Sequence, residues 1–324
     1  MTPHATTLLV LADPAEPQLR MLDRFRDNMN IVTGQRSEGF AQSAAGADAL
    51  LVWSGSRELV QQVWAMAPRV RWIHSRAAGL DTLLFPALVD SPVPLTNSSG
   101  VYSRSLGEFV VAAVLFFAKD FHRMKRNQAA GRWEQFDVAE AHGKTLGIVG
   151  YGDIGRVAAR LAKALGMRVI ALRRRPEMSR GDDLVDETLG TDQLNALMGH
   201  SDYVVVAAPL TPDTKGLVNS AAIAAMKPTG VLINVGRGAV IDEAALIDAL
   251  QCKRIRGAAL DVFENEPLPA GHPFYAMDNL LLSPHCADHT QTWIDDAMQF
   301  FTENLERFLR GEPLKNVVEK RLGY

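Results

Sequence analysis

Three short segments in the last third of the chain carry side chains suited to acid–base chemistry on a small carboxylic acid. They are residues 234–238, 260–269 and 282–287, and they contain Arg237, Glu266 and His285. A guanidinium such as that of Arg237 can hold a carboxylate and a carbonyl oxygen. An imidazole such as that of His285 titrates near neutrality and can pass a proton to or from oxygen. The carboxylate of Glu266 can accept a hydrogen bond from this imidazole and fix its orientation.

Each of these three side chains also has a structural interpretation. Arg237 could pair with a structural carboxylate, Glu266 could cap the turn before Pro267, and His285 could be a hydrogen-bonded core histidine. We prefer the chemical interpretation because each segment follows an apolar strand, and ligands of open α/β sheets bind outside the carboxyl ends of the strands. The remaining histidines and Cys252 are taken as structural or exposed, so no metal site is predicted.

A glycine-rich loop provides a place for a dinucleotide. The segment Gly150-Tyr151-Gly152-Asp153-Ile154-Gly155 has the form G-x-G-x-x-G, follows an apolar strand and precedes a helical pattern. Gly150 permits a tight turn, Gly152 lets the backbone approach a pyrophosphate, and Gly155 allows close packing of helix on strand. The helix N-terminus then offers N–H groups to the phosphates. The alternative is a glycine turn that serves packing alone.

The cofactor preference depends on the residues after the next strand. About 20 residues beyond the glycines, an NAD enzyme usually carries Asp or Glu for the adenosine ribose. This chain has Arg173, Arg174 and Arg175 there, followed by Pro176. Because a guanidinium suits a phosphate and cannot act as an acceptor, we predict preference for NADP(H), with NAD(H) as the alternative. A solvated turn, or an arginine stacked on adenine with either cofactor, would explain the same residues.

The elements that must position these groups alternate between strand and helix. We predict an α/β fold with two Rossmann-like lobes, each a doubly wound parallel sheet, and an interlobe cleft. Helical patterns are predicted at 17–29 and 58–66. The predicted strands lie at 8–11, 49–53 and 70–74 in the first lobe, and at 145–149, 168–172, 203–208, 231–235, 257–262 and 280–283 in the second.

Two crossings of the chain divide these lobes. Residues 1–98 plus 292–324 are expected to form a flavodoxin-like substrate-binding domain, and residues 99–291 a dinucleotide-binding Rossmann domain. The Ser-, Pro-, Asn- and Gly-rich stretch 90–100 is the predicted hinge. A long helix with its apolar face over 106–117 and a basic C-terminal end at 119–126 should follow. A last helix is predicted over 292–309, ending at Gly311.

Together these motifs resemble those of the D-isomer-specific 2-hydroxyacid dehydrogenases, in particular the glyoxylate and hydroxypyruvate reductases. The similarity runs over nearly the whole chain, from the loop Ala78-Gly79-Leu80-Asp81 to the segment around His285. It is carried by the glycine loop, Ala208-Pro209-Leu210-Thr211 with Thr214, Gly236-Arg237-Gly238, Asp261-Val262-Phe263 with Glu266-Pro267, and Pro284-His285. Their order and spacing are more specific than any one motif.

The resemblance implies roles for individual residues. Arg237, Glu266 and His285 would be the catalytic set, and the backbone at Ala78 and Gly79, with Arg237, would meet the substrate carboxylate. Asp261 would sit near the nicotinamide carboxamide, and Pro209 and Thr214 would flank the adenosine and phosphates. The cofactor-binding residues expected are Gly150, Gly152, Asp153, Ile154, Arg173, Arg174, Arg175, Pro209, Thr214, Val235, Asp261 and His285.

The activity implied is hydride transfer between NADP(H) and a small 2-oxoacid or D-2-hydroxyacid, of the glyoxylate or hydroxypyruvate type. Alternatives on the same fold are a phosphite- or formate-type dehydrogenase and a non-enzymatic dinucleotide-sensing regulator. Formate enzymes resembling this family carry glutamine where Glu266 stands, which disfavours that alternative. The segment Cys286-Ala287-Asp288-His289 also departs from the family pattern. In that pattern a small or apolar residue and a glycine more usually follow the histidine that corresponds to His285.

Composition limits the partners. The chain has 324 residues, 47% hydrophobic and 22% charged, with a formal net charge of −3. This balance disfavours a nucleic-acid partner. No apolar run reaches the roughly 18 residues of a membrane span, and Met1 to Asp13 lacks the basic start of a signal peptide. With two cysteines, a reduced cytoplasmic protein is expected. The family resemblance implies a homodimer; Phe116 and Phe121, which widen the long helix's apolar surface, fit burial against a second subunit or within one domain equally well.

Overall fold

The computed structural model describes residues 6–324, which form two compact units, each built on a parallel β-sheet. One unit runs up to Tyr102 and resumes at Gln291–Tyr324, and the other is Ser103–Thr290. The predicted α/β class with two parallel sheets is confirmed. The first five residues of the predicted substrate domain, which also begin the stretch considered as a leader, lie outside the described residues.

The first unit contains a five-stranded sheet in the order β2-β1-β3-β4-β5, with every pair parallel. This is the flavodoxin-type order. The central strands are buried on both faces because helices cover both sides of such a sheet, which is why they read as unbroken apolar runs. The strands are β1 (Thr6–Leu11), β2 (Met29–Gly34), β3 (Ala49–Val52), β4 (Trp72–Ser75) and β5 (Leu95–Asn97), and the α-helices are α1 (Arg57–Met66), α2 (Pro86–Val89) and α9 (Trp293–Leu309).

The second unit contains a seven-stranded parallel sheet in the order β12-β11-β10-β9-β6-β7-β8. The order reverses between β6 and β9, and such a switch point is where open α/β sheets bind ligands. The strands are β6 (Thr145–Val149), β7 (Arg168–Leu172), β8 (Glu187–Leu189), β9 (Tyr203–Val206), β10 (Val231–Asn234), β11 (Gly257–Leu260) and β12 (Leu280–Leu282). The α-helices are α3 (Ser103–Ala118), α4 (Phe121–Ala129), α5 (Asp153–Ala164), α6 (Leu194–His200), α7 (Ser220–Ala224) and α8 (Glu243–Gln251).

Short 3-10 helices occupy several of the connections. They lie at Pro17–Phe25, Ser37–Phe40, Ala44–Gly46, Pro176–Ser179, Thr191–Gln193, Gly238–Val240 and Pro273–Ala276. No helix within residues 6–324 combines the length and the apolar character needed to cross a membrane.

One predicted helix of the first unit is wrong, and three strands were not predicted. The helix predicted over 17–29 is a 3-10 helix that ends at Phe25, and Met29–Gly34 is an edge strand. β5, which lies within the stretch 90–100 predicted as the hinge, was not predicted as a strand, and neither was β8. These strands have three to six residues, and β2 and β8 lie at sheet edges, so none shows the long apolar run of a central strand.

The long helix predicted to end in a basic tail is two helices. The chain breaks at Asp120, which adopts a left-handed conformation (φ 52°) and caps α4 by accepting a hydrogen bond from the Arg123 N–H (3.3 Å). The basic residues therefore lie mostly in a second helix rather than at the C-terminal end of α3. At the other end of the chain, the predicted stop at Gly311 is confirmed: this glycine has φ 67° and donates its N–H to Phe308 O.

Candidate active site

The three polar segments follow three neighbouring strands of the second unit. Arg237 follows β10, Asp261 follows β11, and His285 follows β12. Because β10, β11 and β12 are adjacent and parallel, their carboxyl ends meet at one edge of the sheet. The fold thus places the loops that carry these residues side by side.

The His285 imidazole pairs with the Glu266 carboxylate. Nδ1 of His285 lies 2.6 Å from Oε2 of Glu266. A carboxylate only accepts hydrogen bonds, so we assign the proton to Nδ1, which leaves Nε2 as the nitrogen facing other partners. The second oxygen of Glu266, Oε1, accepts the Phe263 N–H at 2.9 Å. Both carboxylate oxygens are thereby used, and the imidazole is held by a side chain that is itself fixed to the backbone.

Asp261 holds the loop on which His285 sits. Its side chain is buried, and Oδ1 accepts three hydrogen bonds: from the Ser283 hydroxyl (2.5 Å) and from the N–H groups of Cys286 (2.9 Å) and Ala287 (3.0 Å). The carbonyl oxygen of Asp261 accepts the His285 N–H at 2.8 Å. These bonds surround a residue in a left-handed conformation, since His285 has φ 52°. Asp261 therefore fixes a turn that His285 would not adopt readily by itself.

The carboxyl group of Asp288, three residues beyond His285, has a raised pKa. Burial is the main cause that raises the pKa of Asp288, and Asp261 raises it further, while His289 and His285 act in the opposite direction. Charge on Asp288 is therefore less favourable in the folded chain than in water.

The Arg237 loop is shaped by Asn234 and Gly238. The Asn234 side chain is buried, accepts the Gly236 N–H (3.1 Å) and donates to Arg237 O (3.1 Å). Nη1 of Arg237 donates to Gly236 O at 2.8 Å. A Cβ on Gly238 would lie 1.9 Å from the carbonyl carbon of Phe263. Only glycine lets this loop pack directly against the one that carries Glu266.

The glycine loop has room for a ligand where the motif requires it. Gly150 has φ 94°, and a Cβ there would lie 2.6 Å from Ala208 N. A Cβ on Gly155 would lie 2.8 Å from Gly150 O. In contrast, a Cβ on Gly152 would meet no atom within 4 Å. Gly152 is the N-cap of α5, and Asp153 and Ile154 are its first two residues. Two glycines thus serve packing, and the third leaves open space at a helix N-terminus.

The three predicted phosphate-binding arginines are in different environments. Arg173 donates to Ser179 Oγ (3.0 Å), and its guanidinium carbon lies 5.8 Å from the centre of the Tyr151 ring. Nη2 of Arg174 lies 3.1 Å from Oδ2 of Asp213, in an exposed ion pair. Arg175 is exposed at the start of the 3-10 helix Pro176–Ser179.

A second group of side chains lies beside these arginines. The Tyr151 hydroxyl donates to Oδ2 of Asp182 (3.0 Å), and Arg156 pairs with the same oxygen. Burial, and then the bond to Asp182, raise the pKa of Tyr151. Asp182 therefore connects the glycine loop and α5 to the segment that follows the Arg173–Arg175 turn.

Pro209, Thr214 and Val235 are held close to the backbone of the sheet. The Thr214 hydroxyl donates to Pro209 O (2.6 Å) and accepts the Thr211 N–H (2.8 Å), which closes the turn after β9. Val235 is buried, and its N–H extends the β9–β10 ladder by donating to Val206 O at 3.0 Å.

Ala78 and Gly79 belong to the first unit. They lie in the loop after β4, where the Asn97 side chain donates to Ala78 O at 2.6 Å. Arg57 supports the same loop by donating to Asp81 O (2.5 Å) and Thr82 O (3.2 Å).

Sequence reasoning assigned no role to several residues that shape the site. Asn234 is the last residue of β10 and Ser283 directly follows β12, and a buried polar residue at such a position is a signal that could have been used. Asp182 and Asp213 gave no local signal because their partners are 31 and 39 residues away. Across residues 6–324 there is no group of three or more His, Cys, Asp or Glu side chains that could hold a metal ion.

Comparison with known proteins shows which sequences this chain resembles. A family model described as D-isomer specific 2-hydroxyacid dehydrogenase, NAD binding domain, matches residues 111–287. A glyoxylate reductase of Pyrococcus furiosus is 31% identical over 296 residues, which are 88% of this chain and 86% of that protein. A D-3-phosphoglycerate dehydrogenase of Methanocaldococcus jannaschii is 31% identical over 96% of this chain, which spans 59% of that protein's length.

A solved structure extends the similarity to nearly every residue. The crystal structure of a D-isomer specific 2-hydroxyacid dehydrogenase from Xanthobacter autotrophicus, in complex with NADPH and MES, has a TM-score of 0.85 and 32% sequence identity. The match covers 99% of this chain and 100% of that chain.

Proposed function

Since this chain belongs to the D-isomer specific 2-hydroxyacid dehydrogenase family, we propose that it reduces a small 2-oxoacid, of the glyoxylate or hydroxypyruvate type, with NADPH. The observation that carries the proposal is the 2.6 Å pair of His285 and Glu266 on the loops beside Arg237. A bound nicotinamide would supply or accept the hydride. We assign dinucleotide binding to the second unit and substrate binding to the first.

The side chains of the second unit supply the proton for the substrate oxygen and stabilise the negative charge that develops on it. Nε2 of His285 gives a proton to the substrate oxygen as the carbonyl is reduced, because Nδ1 is committed to Glu266. Glu266 keeps the imidazole oriented and stabilises its positive charge when both nitrogens are protonated. Arg237 holds the carbonyl oxygen and the carboxylate, so charge that develops on oxygen meets a fixed cation. The backbone at Ala78 and Gly79 receives the substrate carboxylate.

The glycine loop fits a dinucleotide. The open space at Gly152 and the first N–H groups of α5 suit a pyrophosphate, which a side chain at this position would displace. Pro209 and Thr214, on the turn after β9, would lie beside the adenosine and phosphates. Val235 and Asp261, at the ends of β10 and β11, would lie toward the nicotinamide.

The preference for NADP(H) is supported by the arginines after β7. Arg173, Arg174 and Arg175 are the first residues beyond that strand, where an NAD enzyme usually has a carboxylate. A 2′-phosphate would take the place of Asp213 on Arg174, as one anion replaces another. The relative from Xanthobacter autotrophicus was solved with NADPH.

Steady-state kinetics test the reaction and the cofactor together. Glyoxylate, hydroxypyruvate, pyruvate and phenylpyruvate are each assayed with NADPH and with NADH. We expect turnover of at least one 2-oxoacid and a higher kcat/KM with NADPH. Turnover of none would refute the proposed reaction, and a kcat/KM ratio that favours NADH would refute the cofactor preference while leaving the reaction intact.

We also propose that the protein forms a homodimer through the segment that follows α3. Phe121, Met124 and Val138 are exposed there, and Trp133 is 95% exposed. The segment is tied back to α3 by the Ala139 N–H, which donates to Ala118 O at 2.9 Å. Large apolar side chains held in this way favour burial against a second copy. Light scattering should give twice the 35.4 kDa mass of one chain, and Trp133→Ser should weaken the dimer; a single species near 35.4 kDa for the unaltered protein would refute it.

A further inference from the structure

Arg76 is a cation held in place by aromatic rings at the carboxyl end of the first unit's sheet. It follows β4 directly, and its N–H donates to Val52 O at 3.0 Å. Its guanidinium carbon lies 5.2 Å from the centre of the Trp53 ring and 5.7 Å from that of Trp293. Its carbonyl oxygen accepts the Tyr102 hydroxyl at 2.9 Å. Both the backbone and the side chain of Arg76 are therefore fixed.

The guanidinium has no anionic partner among the described residues. None of the hydrogen bonds or ion pairs found within residues 6–324 involves its nitrogen atoms. Aromatic faces attract a cation but accept none of the directional hydrogen bonds that its five N–H donors can make. The side chain is half-buried, so part of its hydration is lost without replacement. A fixed, partly desolvated and unpaired cation is a site for an anion.

Arg71, at the other end of the same strand, differs in this respect. Arg71 also lies over an aromatic ring, that of Phe308 at 4.9 Å, but Nη2 is 3.0 Å from Oδ1 of Asp48. Its charge is therefore satisfied within the protein. Of the two arginines, the unpaired one lies at the carboxyl end of β4, where ligands of open α/β sheets bind.

The position of Arg76 suggests which anion it receives. The loop residues Ala78 and Gly79 follow within three residues, a stretch of at most about 10 Å. If their backbone receives the carboxylate of a 2-oxoacid, the far end of a small substrate is within reach of the Arg76 side chain. We infer that Arg76 binds a second carboxylate at the far end of the substrate, so that the enzyme favours 2-oxo-dicarboxylic acids over 2-oxoacids with an uncharged tail. This inference rests on the proposed reduction of a 2-oxoacid with NADPH, and within that reaction it places 2-oxo-dicarboxylic acids ahead of glyoxylate and hydroxypyruvate.

The kinetic test compares substrates that differ in the far end. Wild-type protein, Arg76→Gln, Arg76→Lys and the matched control Arg71→Gln are assayed with NADPH on oxaloacetate, hydroxypyruvate and glyoxylate. Loss of a charge-assisted bond should lower kcat/KM for oxaloacetate about tenfold or more in Arg76→Gln, or about 1.4 kcal/mol or more. The values for hydroxypyruvate and glyoxylate should stay within about twofold, since they lack the second carboxylate. Arg76→Lys should lose less, and Arg71→Gln should leave the ratio of substrates unchanged.

Two kinetic results would overturn the inference. An equal loss on all three substrates would mean that Arg76 serves the carboxylate common to them, and no change on any would mean that it binds no part of the substrate. Circular dichroism checks that the variants fold.

A binding measurement keeps the inference separate from the proposed reaction. Calorimetry on the wild-type protein should give tighter binding of D-malate than of D-lactate, and Arg76→Gln should remove the difference. The comparison of D-malate with D-lactate on the wild-type protein requires neither turnover nor a folded variant. Equal affinity of the wild-type protein for the two acids would refute the role of Arg76, whereas absence of turnover with tighter D-malate binding would refute only the proposed reaction.

Discussion

Nδ1 of His285 and Oε2 of Glu266 lie 2.6 Å apart, although 19 residues separate them in the chain. The bond exists because β11 and β12 are neighbours and each of the two residues lies in a loop beyond one of these strands. It determines which imidazole nitrogen is left for chemistry. The predictions about the site begin from this pair.

Removing the imidazole should affect turnover far more than cofactor binding. In His285→Ala the proton donor is lost, and general acid catalysis typically contributes a factor of about 10² to 10⁴. We expect kcat to fall within that range and the dissociation constant for NADPH to change by less than about threefold. Stopped-flow or steady-state rates and a fluorescence titration measure the two quantities. Collapse of NADPH binding with turnover preserved would show that the role is wrongly assigned.

Glu266→Gln should be less severe than His285→Ala. The amide oxygen can still accept from Nδ1, but the amide nitrogen cannot accept the Phe263 N–H that Oε1 now receives. The variant also loses the negative charge that stabilises a positive imidazole. We expect kcat to fall by about one to two orders of magnitude, with the proton on His285 still available. Glu243→Gln, which alters another carboxylate of the second unit, serves as the control, and an equal loss there would count against a specific role for Glu266.

Asp261 is predicted to position the catalytic loop. Asp261→Ala removes the acceptor of three hydrogen bonds and should lower both kcat and the melting temperature, since each bond contributes about 0.5–1.5 kcal/mol. Asp261→Asn keeps one oxygen as an acceptor and should recover most of the stability. Ser283→Ala, which removes one of the three bonds, should fall between wild type and Asp261→Ala. An unchanged melting temperature in Asp261→Ala would show that the three hydrogen bonds of Asp261 do not stabilise the fold.

Substitutions in the Arg174–Asp213 ion pair should change the preference for NADPH over NADH. Arg174→Gln should weaken NADPH binding about tenfold and leave NADH binding nearly unchanged, because only NADPH has a 2′-phosphate for the guanidinium. Asp213→Asn should tighten NADPH by a factor of a few, since an exposed ion pair contributes about 0–1 kcal/mol. The effect should vanish when Arg174→Gln is already present. Asp248→Asn, which alters an exposed ion pair with Arg254 elsewhere in the same unit, is the control for overall charge.

The buried His74 should make stability depend on pH. Burial lowers the pKa of His74 to about 3, and its Nδ1 lies 2.7 Å from Thr96 Oγ1. In the unfolded chain the imidazole has its ordinary pKa of 6.5. Below that pH the unfolded chain binds a proton that the folded chain does not, so stability falls from pH 6.5 down towards pH 3, by up to about 1.4 kcal/mol per pH unit.

Urea unfolding at pH 7.5, 6.0 and 5.0 measures this dependence. His74→Gln should have a shallower decrease of stability with falling pH, whatever its stability at pH 7.5. Comparison of slopes removes the contribution of the carboxylates, which both proteins share. Identical slopes would contradict the assignment.

The sequence by itself determined the parts of this protein that are local. The bounds of β6 and β7 were predicted correctly because each is a short, mainly apolar run that begins with one polar residue, Thr145 or Arg168, and is followed directly by Gly150 or Arg173. The glycine loop could be recognised because its conformation is imposed by residues within six positions of one another. The residue types around Arg237 and His285 also predict acid–base chemistry on a carboxylic acid, but the conformation of the His285 loop depends on the distant residue Asp261.

The tertiary structure decided every relationship that joins distant segments. Strand order brings Asp261 to the His285 loop and Asp213 to Arg174, and short-range periodicity contains no information about that order. It also decided that the basic run after α3 begins a new helix at Asp120 and that Arg76 lies between Trp53 and Trp293. A side chain's partners depend on which strands become neighbours, and this is settled by burial of the whole chain rather than by any one motif.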